Sequence, residues 1–180
     1  LEVNFDGFRN LVGAIGEVPI YFPTPARDIQ TGLLVEEAGC RDLNGEEALA
    51  YVRSREYQSL VDGEWQTDGT ADLGRIRRQQ YFIRSLADEA VRVSVRNPLK
   101  IENILDKAIG NLRVDPDLGS GDLRGLINAF RDVDPAVLDM VTLPTEREFI
   151  GGQDAQTLLE AEAAPIFARL RSFDGDGEQE

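Results

Sequence analysis

Apolar residues in the N-terminal part of the chain follow first the spacing of a strand and then that of a helix. Residues 1–5 and 18–22 are short apolar runs, and two prolines stop the second run, as is typical of strands. Asp6 is a suitable cap for a helix between them, and Gly16 is a suitable end. The predicted buried face of this helix recurs at helical spacing and consists of Phe8, Leu11, Val12 and Ile15.

A second helix is predicted to begin near Gly45. Asn44 followed by Glu47 matches a capping box, in which each side chain accepts a hydrogen bond from the other residue's backbone. We expect this helix to be short and to pass into a strand near Tyr51. Residues 26–43, which precede it, show no sustained period and are predicted to be irregular.

Residues 72–90 show helical periodicity and predict a long helix with two adjacent stripes of side chains, one polar and one apolar. Asp72, Arg75 and Gln79 occupy one stripe at i, i+3 and i+7. The polar segment DGEWQTDGT, which precedes the helix, is predicted to be a flexible loop. The predicted core stripe recurs at three-, four- and seven-residue steps and consists of Leu73, Ile76, Ile83, Ala87 and Ala90.

The C-terminal part of the chain continues the alternation of strands and helices. This alternation favours an α/β fold. The remaining predicted elements are a helix over 98–110, a helix capped by Ser120, a strand over 139–144, and a last helix that Asp154 caps and Pro165 kinks or interrupts.

Composition limits the classes of function open to the chain. Its 180 residues include 33 acidic and 19 basic side chains, which gives a net charge of −14 and a pI of about 4.4. Proteins that bind duplexes normally present a basic face, so no nucleic-acid partner is expected. The chain has no His, which excludes His-based triads and His metal ligands within it. It also has no apolar run of about 18 residues, the length that a membrane span needs.

Arginines are nevertheless concentrated between residues 53 and 78. The planar guanidinium presents five N–H donors and fits phosphate oxygens bidentately, so such a concentration predicts a site for a small anion. In an extended segment Arg53 and Arg55 share one face, while Val52 and Ser54 take the other. The two clusters are Arg53/Arg55 and Arg75/Arg77/Arg78.

An alternative is that each arginine is paired with an acidic side chain on a solvated surface. Two like charges about 6 Å apart repel by roughly 3 kcal/mol at an effective dielectric constant of about 20. A cluster of arginines is therefore stable only with acidic partners or with a bound anion, and the spacing of the residues leaves both interpretations open.

Two motifs enclose the arginines: LNGEEALAYVRSR over 43–55 and DLGRIRRQQ over 72–80. In this order they resemble the pattern of the LytR–CpsA–Psr (LCP) family of bacterial cell-wall glycopolymer ligases, L-[DN]-G-x-x-A-L-x-[YF]-[VA]-R-x-R followed by D-x-x-R-x-x-R-Q-Q. The start VNFDGFRNLVGAIGEVPIYFP and the later FRDVDPAVLDMVTLPTE are also similar to family segments. The resemblance covers residues 1–172, which we take as the C-terminal portion of an LCP-like catalytic domain, and residues 173–180 are predicted to be a disordered acidic tail.

The resemblance implies an α/β fold in which a mixed central sheet is flanked by helices and an apolar tunnel holds a polyprenyl chain. It also implies a phosphotransferase that moves a glycopolymer from a polyprenyl-diphosphate carrier to cell-wall peptidoglycan, usually with Mg²⁺. The residues implied in catalysis and diphosphate binding are Arg53, Arg55 and Arg75, with Gln79 as their polar partner, Arg78 as a further ligand and Asp72 as an orienting residue. We expect Arg53, Arg55, Arg75 and Gln79 to converge on one pocket.

Family members also possess an upstream half of the catalytic domain, which carries the aspartates that hold Mg²⁺. This chain begins at Leu1, within the first predicted strand, so we expect it to be the C-terminal part of a longer protein. The metal ligands and a membrane anchor are expected upstream, and the chain alone is expected to be inactive. The resemblance places the protein on the extracytoplasmic face of the bacterial cell membrane.

Two other functions remain open. The chain is a non-catalytic module of the cell envelope that binds polyprenyl phosphate, or it is an interaction domain in which acids neutralise every arginine. Cys40 is expected to be a free thiol, and the extracytoplasmic family implies a disulfide to an upstream cysteine as the alternative. Trp65 either packs over the loop between the arginine clusters or stacks on a sugar.

Overall fold

The computed structural model describes residues 2–96, 112–113, 125 and 140–172 of the chain. It divides into two compact units, residues 1–138 and 139–180, which are described separately. Helices combined with β-sheets confirm the predicted α/β class, and every strand pair within the described ranges is antiparallel.

The first unit contains three helices and eight strands within the described residues. Strands β2 and β5 pair with each other, β1 pairs with β8, and a four-stranded sheet has the order β4-β3-β6-β7. The elements are β1 (Glu2–Val3), α1 (Phe5–Ile15), β2 (Val18–Phe22), β3 (Ala26–Asp28), β4 (Leu33–Val35), β5 (Gly39–Leu43), α2 (Gly45–Arg53), β6 (Gln58–Val61), β7 (Glu64–Thr67), α3 (Ala71–Arg96) and β8 (Leu112–Arg113).

Helix α1 begins two residues earlier than the predicted cap would allow. Asn4, not Asp6, is the N-cap, and its side chain accepts a hydrogen bond from the backbone N–H of Gly7 at 2.7 Å. Asp6 lies in the first turn and forms an ion pair with Arg9. The helix ends at Gly16 as predicted, with a φ of +127°, a conformation that residues with a Cβ rarely adopt.

The predicted capping box of α2 is confirmed. The Asn44 side chain accepts from the backbone N–H of Glu47 at 3.1 Å, and the Glu47 carboxylate accepts from the backbone N–H of Asn44 at 3.1 Å. The predicted change to a strand near Tyr51 is wrong, because the helix continues to Arg53. Residues 48–52 are all buried, so α2 is covered on several sides and packing stabilises its last turn.

Residues 26–43 are not irregular, as the sequence had suggested, but contain β3, β4 and β5. In β4, Leu33 and Val35 are buried and Leu34 is exposed, which is the alternation of a strand. Three residues are too few for this period to be recognised from sequence alone, and the pairing with β3 stabilises the strand.

The polar segment before α3 is likewise not a flexible loop. It contains the turn and the second strand of the β6–β7 hairpin, in which Val61 lies opposite Glu64. Asp62 and Gly63 form its two-residue turn, with φ values of +53° and +82°. Two successive positive φ values are the signature of a type I′ turn, for which Asp-Gly is a preferred sequence. The dipeptide was thus a usable signal for this hairpin.

The buried face of α3 differs from the predicted stripe. Phe82 is 1% exposed and its ring lies 5.5 Å from that of Phe8, whereas Ile83 is 51% exposed. Two polar residues, Arg78 and Glu89, are buried on the same helix. These polar residues lie on the buried face of α3 and interrupt its apolar period. The hydrophobic pattern therefore predicted a buried face that is rotated around the helix axis from the observed one.

The second unit consists of the hairpin β9 (Thr145–Ile150) and β10 (Gln153–Leu158) followed by α4 (Glu160–Ser172). The predicted strand over 139–144 is displaced, since residues 140–144 have no regular structure and the strand begins at Thr145. Asp154 lies in β10, so it does not cap the last helix. Pro165 lies inside α4, which continues through it. The helices predicted over 98–110 and after Ser120, and the tail over 173–180, lie outside the described residues.

The core of the first unit lies where α1, α2 and α3 meet the β2–β5 pair. Tyr51 of α2 packs edge-on against Phe22 of β2, with ring centroids 5.5 Å apart. None of the helices in the described ranges is both long and apolar enough to cross a membrane. The buried apolar cluster consists of Val12, Val18, Ile20, Phe22, Ala26, Leu33, Val35, Leu43, Ala48, Leu49, Ala50, Tyr51, Val52 and Phe82.

Candidate functional site

Arg53 and Arg55 both point away from the core at the C-terminal end of α2. Val52 and Ser54 are buried, whereas Arg53 and Arg55 are exposed. Ser54, which follows the helix, has φ −59° and ψ 122°, an extended conformation that places its two neighbours on one side. The predicted alternation is therefore confirmed, although it arises at the helix end and not within a strand.

A carboxylate connects the two arginine clusters. Arg55 Nε lies 3.1 Å from Asp72 Oδ1, and Arg75 Nη2 lies 2.6 Å from the same oxygen. The side chain of Arg55 is 61% exposed and that of Arg75 is 25% exposed. The fold thus brings together arginines that are 20 residues apart in sequence, and Asp72 is placed to orient both.

Arg53 and Gln79 make different contacts. The Arg53 guanidinium lies 4.4 Å from the ring centroid of Phe5, a cation–π arrangement. Gln79 donates from Nε2 to the backbone carbonyl of Val52 at 3.0 Å, which attaches α3 to the end of α2 next to Arg53. Convergence of Arg53 and Gln79 with the other arginines on one pocket stays a prediction.

Arg78 is buried and engaged in three ways. Nη2 donates to the Ser54 carbonyl at 2.8 Å, and Nη1 donates to Asp68 Oδ2 at 3.1 Å. The guanidinium also lies 4.5 Å from the ring centroid of Tyr57. These contacts give Arg78 a structural position between α3 and the segment that bears Arg55, and its role as a further diphosphate ligand stays a prediction.

Sequence reasoning missed Asp28, a fully buried carboxylate on β3. Its Oδ2 accepts from Ser54 Oγ at 2.5 Å and from the backbone N–H of Glu56 at 3.0 Å. Its Oδ1 accepts from the backbone N–H groups of Gln30 at 2.8 Å and Thr31 at 3.2 Å. Burial raises the pKa of Asp28, but the four hydrogen bonds outweigh it, so the net pKa lies below the ordinary value.

Asp68 organises the N-terminal end of α3. Its carboxylate accepts from the backbone N–H of Thr70 at 2.9 Å and from Thr70 Oγ1 at 2.5 Å, besides Arg78. Burial raises the pKa of Asp68, but the bonds from Thr70 and Arg78 reverse the shift and lower it overall. A cleft of about 280 Å³ adjoins this group and is lined by Tyr51, Asp68, Thr70, Gly74, Arg77, Arg78 and Tyr81. The burial of Tyr51 raises the pKa of its hydroxyl, so that group is a phenol and not a phenolate at neutral pH.

Gly74→Ala is expected to destabilise the protein by about 1–3 kcal/mol through overpacking. A Cβ at Gly74 would meet Thr70 Oγ1 at 2.5 Å, would collide with Asp68 Oδ2, and would approach Arg78 Nη1 at 3.2 Å. Gly13→Ala is the matched control, because a Cβ at this helical position meets nothing within 4 Å. This control should gain stability by up to about 1 kcal/mol. Urea unfolding measures both changes, and equal gains would contradict the packing argument.

The residues at this site do not fit a metal centre. Within the ranges that the structure describes, no three His, Cys, Asp or Glu side chains are grouped as a metal site requires. The carboxylates of Asp68 and Asp72 are paired with arginines instead. The arrangement is suited to an anion, since Arg55 is exposed and the buried Nε of Arg75 has no hydrogen-bond acceptor among the described residues.

Two further sequence predictions concern single side chains outside the cluster. Cys40 is an exposed free thiol in the structure, and its disulfide to an upstream cysteine stays a prediction. Trp65 lies on β7, and the Arg27 guanidinium lies 4.2 Å from its ring centroid. This contact agrees with the packing role for Trp65.

The chain is similar to known proteins over most of its length. The model of the LytR_cpsA_psr family matches residues 1–172. The chain is 31% identical over 125 residues to the polyisoprenyl-teichoic acid–peptidoglycan teichoic acid transferase TagV of Bacillus subtilis, covering 67% of this chain and 29% of that protein. It is 30% identical over 128 residues to the probable cell wall biosynthesis protein LcpB of Corynebacterium glutamicum, covering 67% of this chain and 26% of that protein.

A solved structure agrees with this assignment. The LytR-Csp2A-Psr enzyme from Actinomyces oris superimposes with a TM-score of 0.73 at 27% identity, covering 93% of this chain and 61% of that one. The chain therefore spans less than a third of the length of the two curated relatives and about three fifths of the length of the solved structure. Because the family match extends over residues 1–172, this protein belongs to the LytR–CpsA–Psr family.

Proposed function

We propose that the intact protein transfers a glycopolymer from a polyprenyl-diphosphate carrier to cell-wall peptidoglycan. Two observations support this proposal: membership of the family, and similarity to two relatives, one a teichoic acid transferase and the other a probable cell wall biosynthesis protein. The same observations support a place in the cell envelope, which we assign to the extracytoplasmic face of the membrane. A membrane anchor and an apolar tunnel for the polyprenyl chain belong to this proposal as well.

The observation that carries the proposal is the pair of arginines held on Asp72. Arg55 follows α2 and Arg75 lies on α3, yet both contact one carboxylate oxygen. A diphosphate offers several anionic oxygens to the same guanidinium groups, and charged hydrogen bonds of this type contribute roughly 1.5–3 kcal/mol each. Asp72 keeps the two cations close together before the ligand arrives, which reduces the cost of bringing them together when it binds.

In the proposed reaction, a hydroxyl of a peptidoglycan sugar attacks the phosphorus that bears the glycopolymer. A new P–O bond forms as the hydroxyl releases its proton to solvent, the bond to the bridging oxygen breaks, and polyprenyl phosphate leaves. Arg55 and Arg75 stabilise the negative charge that develops on this leaving group. Asp72 forms ion pairs with two arginines, so its role is to orient them and not to act as the general base.

We also propose Mg²⁺ as the cofactor of the intact protein, where it would neutralise phosphate charge. The carboxylates at the described site are bonded to arginines, so its ligands are expected elsewhere in the protein. No step above depends on the metal.

A second candidate is a module that binds polyprenyl phosphate without catalysis. It would use the same arginines, and the observation that favours it is that Asp72 is the ion-pair partner of both arginines and is therefore not the general base that catalysis would need. The two functions differ in whether polymer becomes covalently attached to peptidoglycan.

The test uses the protein at its natural length, a polyprenyl-diphosphate-linked glycopolymer in detergent micelles, and purified peptidoglycan. Polymer phosphate retained on washed peptidoglycan measures transfer. We expect transfer by the wild type and at least about a hundredfold less by Arg55→Ala/Arg75→Ala, which lacks two charged contacts. Arg77→Ala, which removes an exposed arginine from the other side of α3, should retain transfer. Binding of the carrier without transfer would support the second candidate, and absence of both would refute the anion site.

A further inference from the structure

The segment that presents Arg55 has no regular structure of its own. It lies between the end of α2 at Arg53 and the start of β6 at Gln58, and backbone hydrogen bonds to the neighbouring elements are made at its two ends, by Ser54 N–H to the Tyr51 carbonyl and by Asp68 N–H to the Tyr57 carbonyl. A residue in such a segment keeps its orientation only if other contacts restrain the backbone, because each unrestrained residue costs about 1–2 kcal/mol of conformational entropy when it is ordered.

Asp28 supplies the restraint from one side. It is a buried residue of β3, and one of its oxygens accepts from both Ser54 Oγ and the Glu56 backbone N–H. These two donors lie immediately before and after Arg55. The second oxygen is held by two backbone N–H groups of the β3–β4 turn, so the carboxylate cannot rotate to follow the segment.

Arg78 supplies the restraint from the other side. Its Nη2 donates to the Ser54 carbonyl at 2.8 Å, so Ser54 is held by both its hydroxyl and its carbonyl. Ser54 is fully buried, which removes competition from water for either bond. We call Asp28, Ser54 and Arg78 the Ser54 latch.

We propose that Asp28 is a positioning residue for the phosphate-binding Arg55, acting through Ser54 and the Glu56 amide; this rests on the proposed function. Asp28 lies beneath the segment and does not itself bind the ligand. Without it, Arg78 would hold the segment from one side only, and Asp72, which orients Arg55 directly, has a side chain that is 48% exposed and is therefore a weak restraint. The latch holds the guanidinium near its binding geometry before the ligand arrives.

The test must separate this role from a general loss of stability. In Asp28→Asn, an NH₂ group replaces one carboxylate oxygen and opposes an N–H donor, so the variant loses part of the latch at unchanged size. Ser54→Ala is a milder second variant that removes only the hydroxyl donor. Asp62→Asn is the matched control, because Asp62 is exposed in the β6–β7 turn, where Asn-Gly is equally suitable.

Each change is made in the natural-length protein and again in the Arg55→Ala background. Affinity is measured for a synthetic polyprenyl diphosphate in micelles, with the matching polyprenol as the uncharged control, and a melting curve is recorded for each variant. We expect Asp28→Asn to weaken diphosphate binding by about tenfold and Ser54→Ala by about threefold. In the Arg55→Ala background both changes should cost less than about twofold, because the residue through which they act is absent.

The melting temperature should fall by similar amounts in both backgrounds, since the stability cost of breaking the latch does not depend on Arg55. Equal losses of affinity in both backgrounds would overturn the proposal and make Asp28 purely structural. Full affinity in Asp28→Asn or Ser54→Ala, with Arg55→Ala impaired, would overturn the latch and leave the proposed function intact. Full affinity in Arg55→Ala would refute the diphosphate site itself, and the latch proposal with it. If Asp28→Asn does not fold, Ser54→Ala decides by the same comparison.

Discussion

Arg75→Ala is expected to lower the affinity of the natural-length protein for polyprenyl diphosphate by about ten- to a hundredfold, since one bidentate contact to a charged group contributes roughly 1.5–3 kcal/mol. Stability without ligand should change by less than about 1 kcal/mol, because the Arg75–Asp72 pair is half-exposed and Asp72 retains Arg55. Removing one of several like charges also relieves repulsion, so the melting temperature should hold or rise.

Arg75→Lys should restore only part of the affinity, because lysine keeps the positive charge but loses the planar fork. The measurements are binding to polyprenyl diphosphate and a melting curve for each variant, with Arg77→Ala as the control for loss of one positive charge. A large drop in melting temperature with unchanged affinity would show that Arg75 forms a structural ion pair and does not bind the diphosphate.

Arg78→Ala, three residues further along the same helix, is expected to have the opposite profile. It should destabilise the protein by about 1–3 kcal/mol, the cost of leaving a buried acceptor, the Ser54 carbonyl, without its donor. The change removes the guanidinium that donates to the Asp68 carboxylate and to the Ser54 carbonyl, and it uncovers the face of the Tyr57 ring. Arg78→Lys should recover little, because an ammonium cannot reach both acceptors and stack on the ring in the same geometry.

Urea unfolding monitored by circular dichroism measures this effect, and Arg77→Ala should lie within about 0.5 kcal/mol of the wild type as an exposed substitution. A stable Arg78→Ala variant would show that water or a rearranged side chain satisfies Asp68 and Ser54, and the Ser54 latch would then depend on Asp28 alone. Arg75, Arg77 and Arg78 of α3 therefore have three distinct expected phenotypes: loss of binding at Arg75, loss of stability at Arg78, and neither at Arg77.

Local chemistry was sufficient for several elements. The capping box at Asn44 and the strand at 18–22 were correctly predicted, because a helix start and a proline-bounded apolar run depend on residues close in sequence. The outward alternation of Arg53 and Arg55 was also correct, since it follows from one extended residue at Ser54. Family membership likewise rests on two linear motifs that a single sequence contains.

The short strands and the buried face of α3 could not be predicted from the local sequence pattern. Strands β3 and β4 have three residues each and are stabilised by pairing with partners, not by their own periodicity. The buried face of α3 was misassigned because Arg78 and Glu89 are buried with ion-pair partners, and a hydrophobic period does not count such positions. Both errors arise where a tertiary contact outweighs an intrinsic preference.

The sequence by itself therefore determined the family, the kinds of residue at the anion site and the helix that carries Arg75. Tertiary structure decided which arginines are available. Asp72 forms ion pairs with both Arg55 and Arg75, which are 20 residues apart in sequence. Arg78, three residues after Arg75, is instead buried and donates a hydrogen bond to the Ser54 carbonyl. Asp28 lies 26 residues before Ser54 and gave no motif, because a long-range hydrogen bond leaves no period in the chain. Burial makes such bonds strong, and only the folded chain shows which polar groups are buried together.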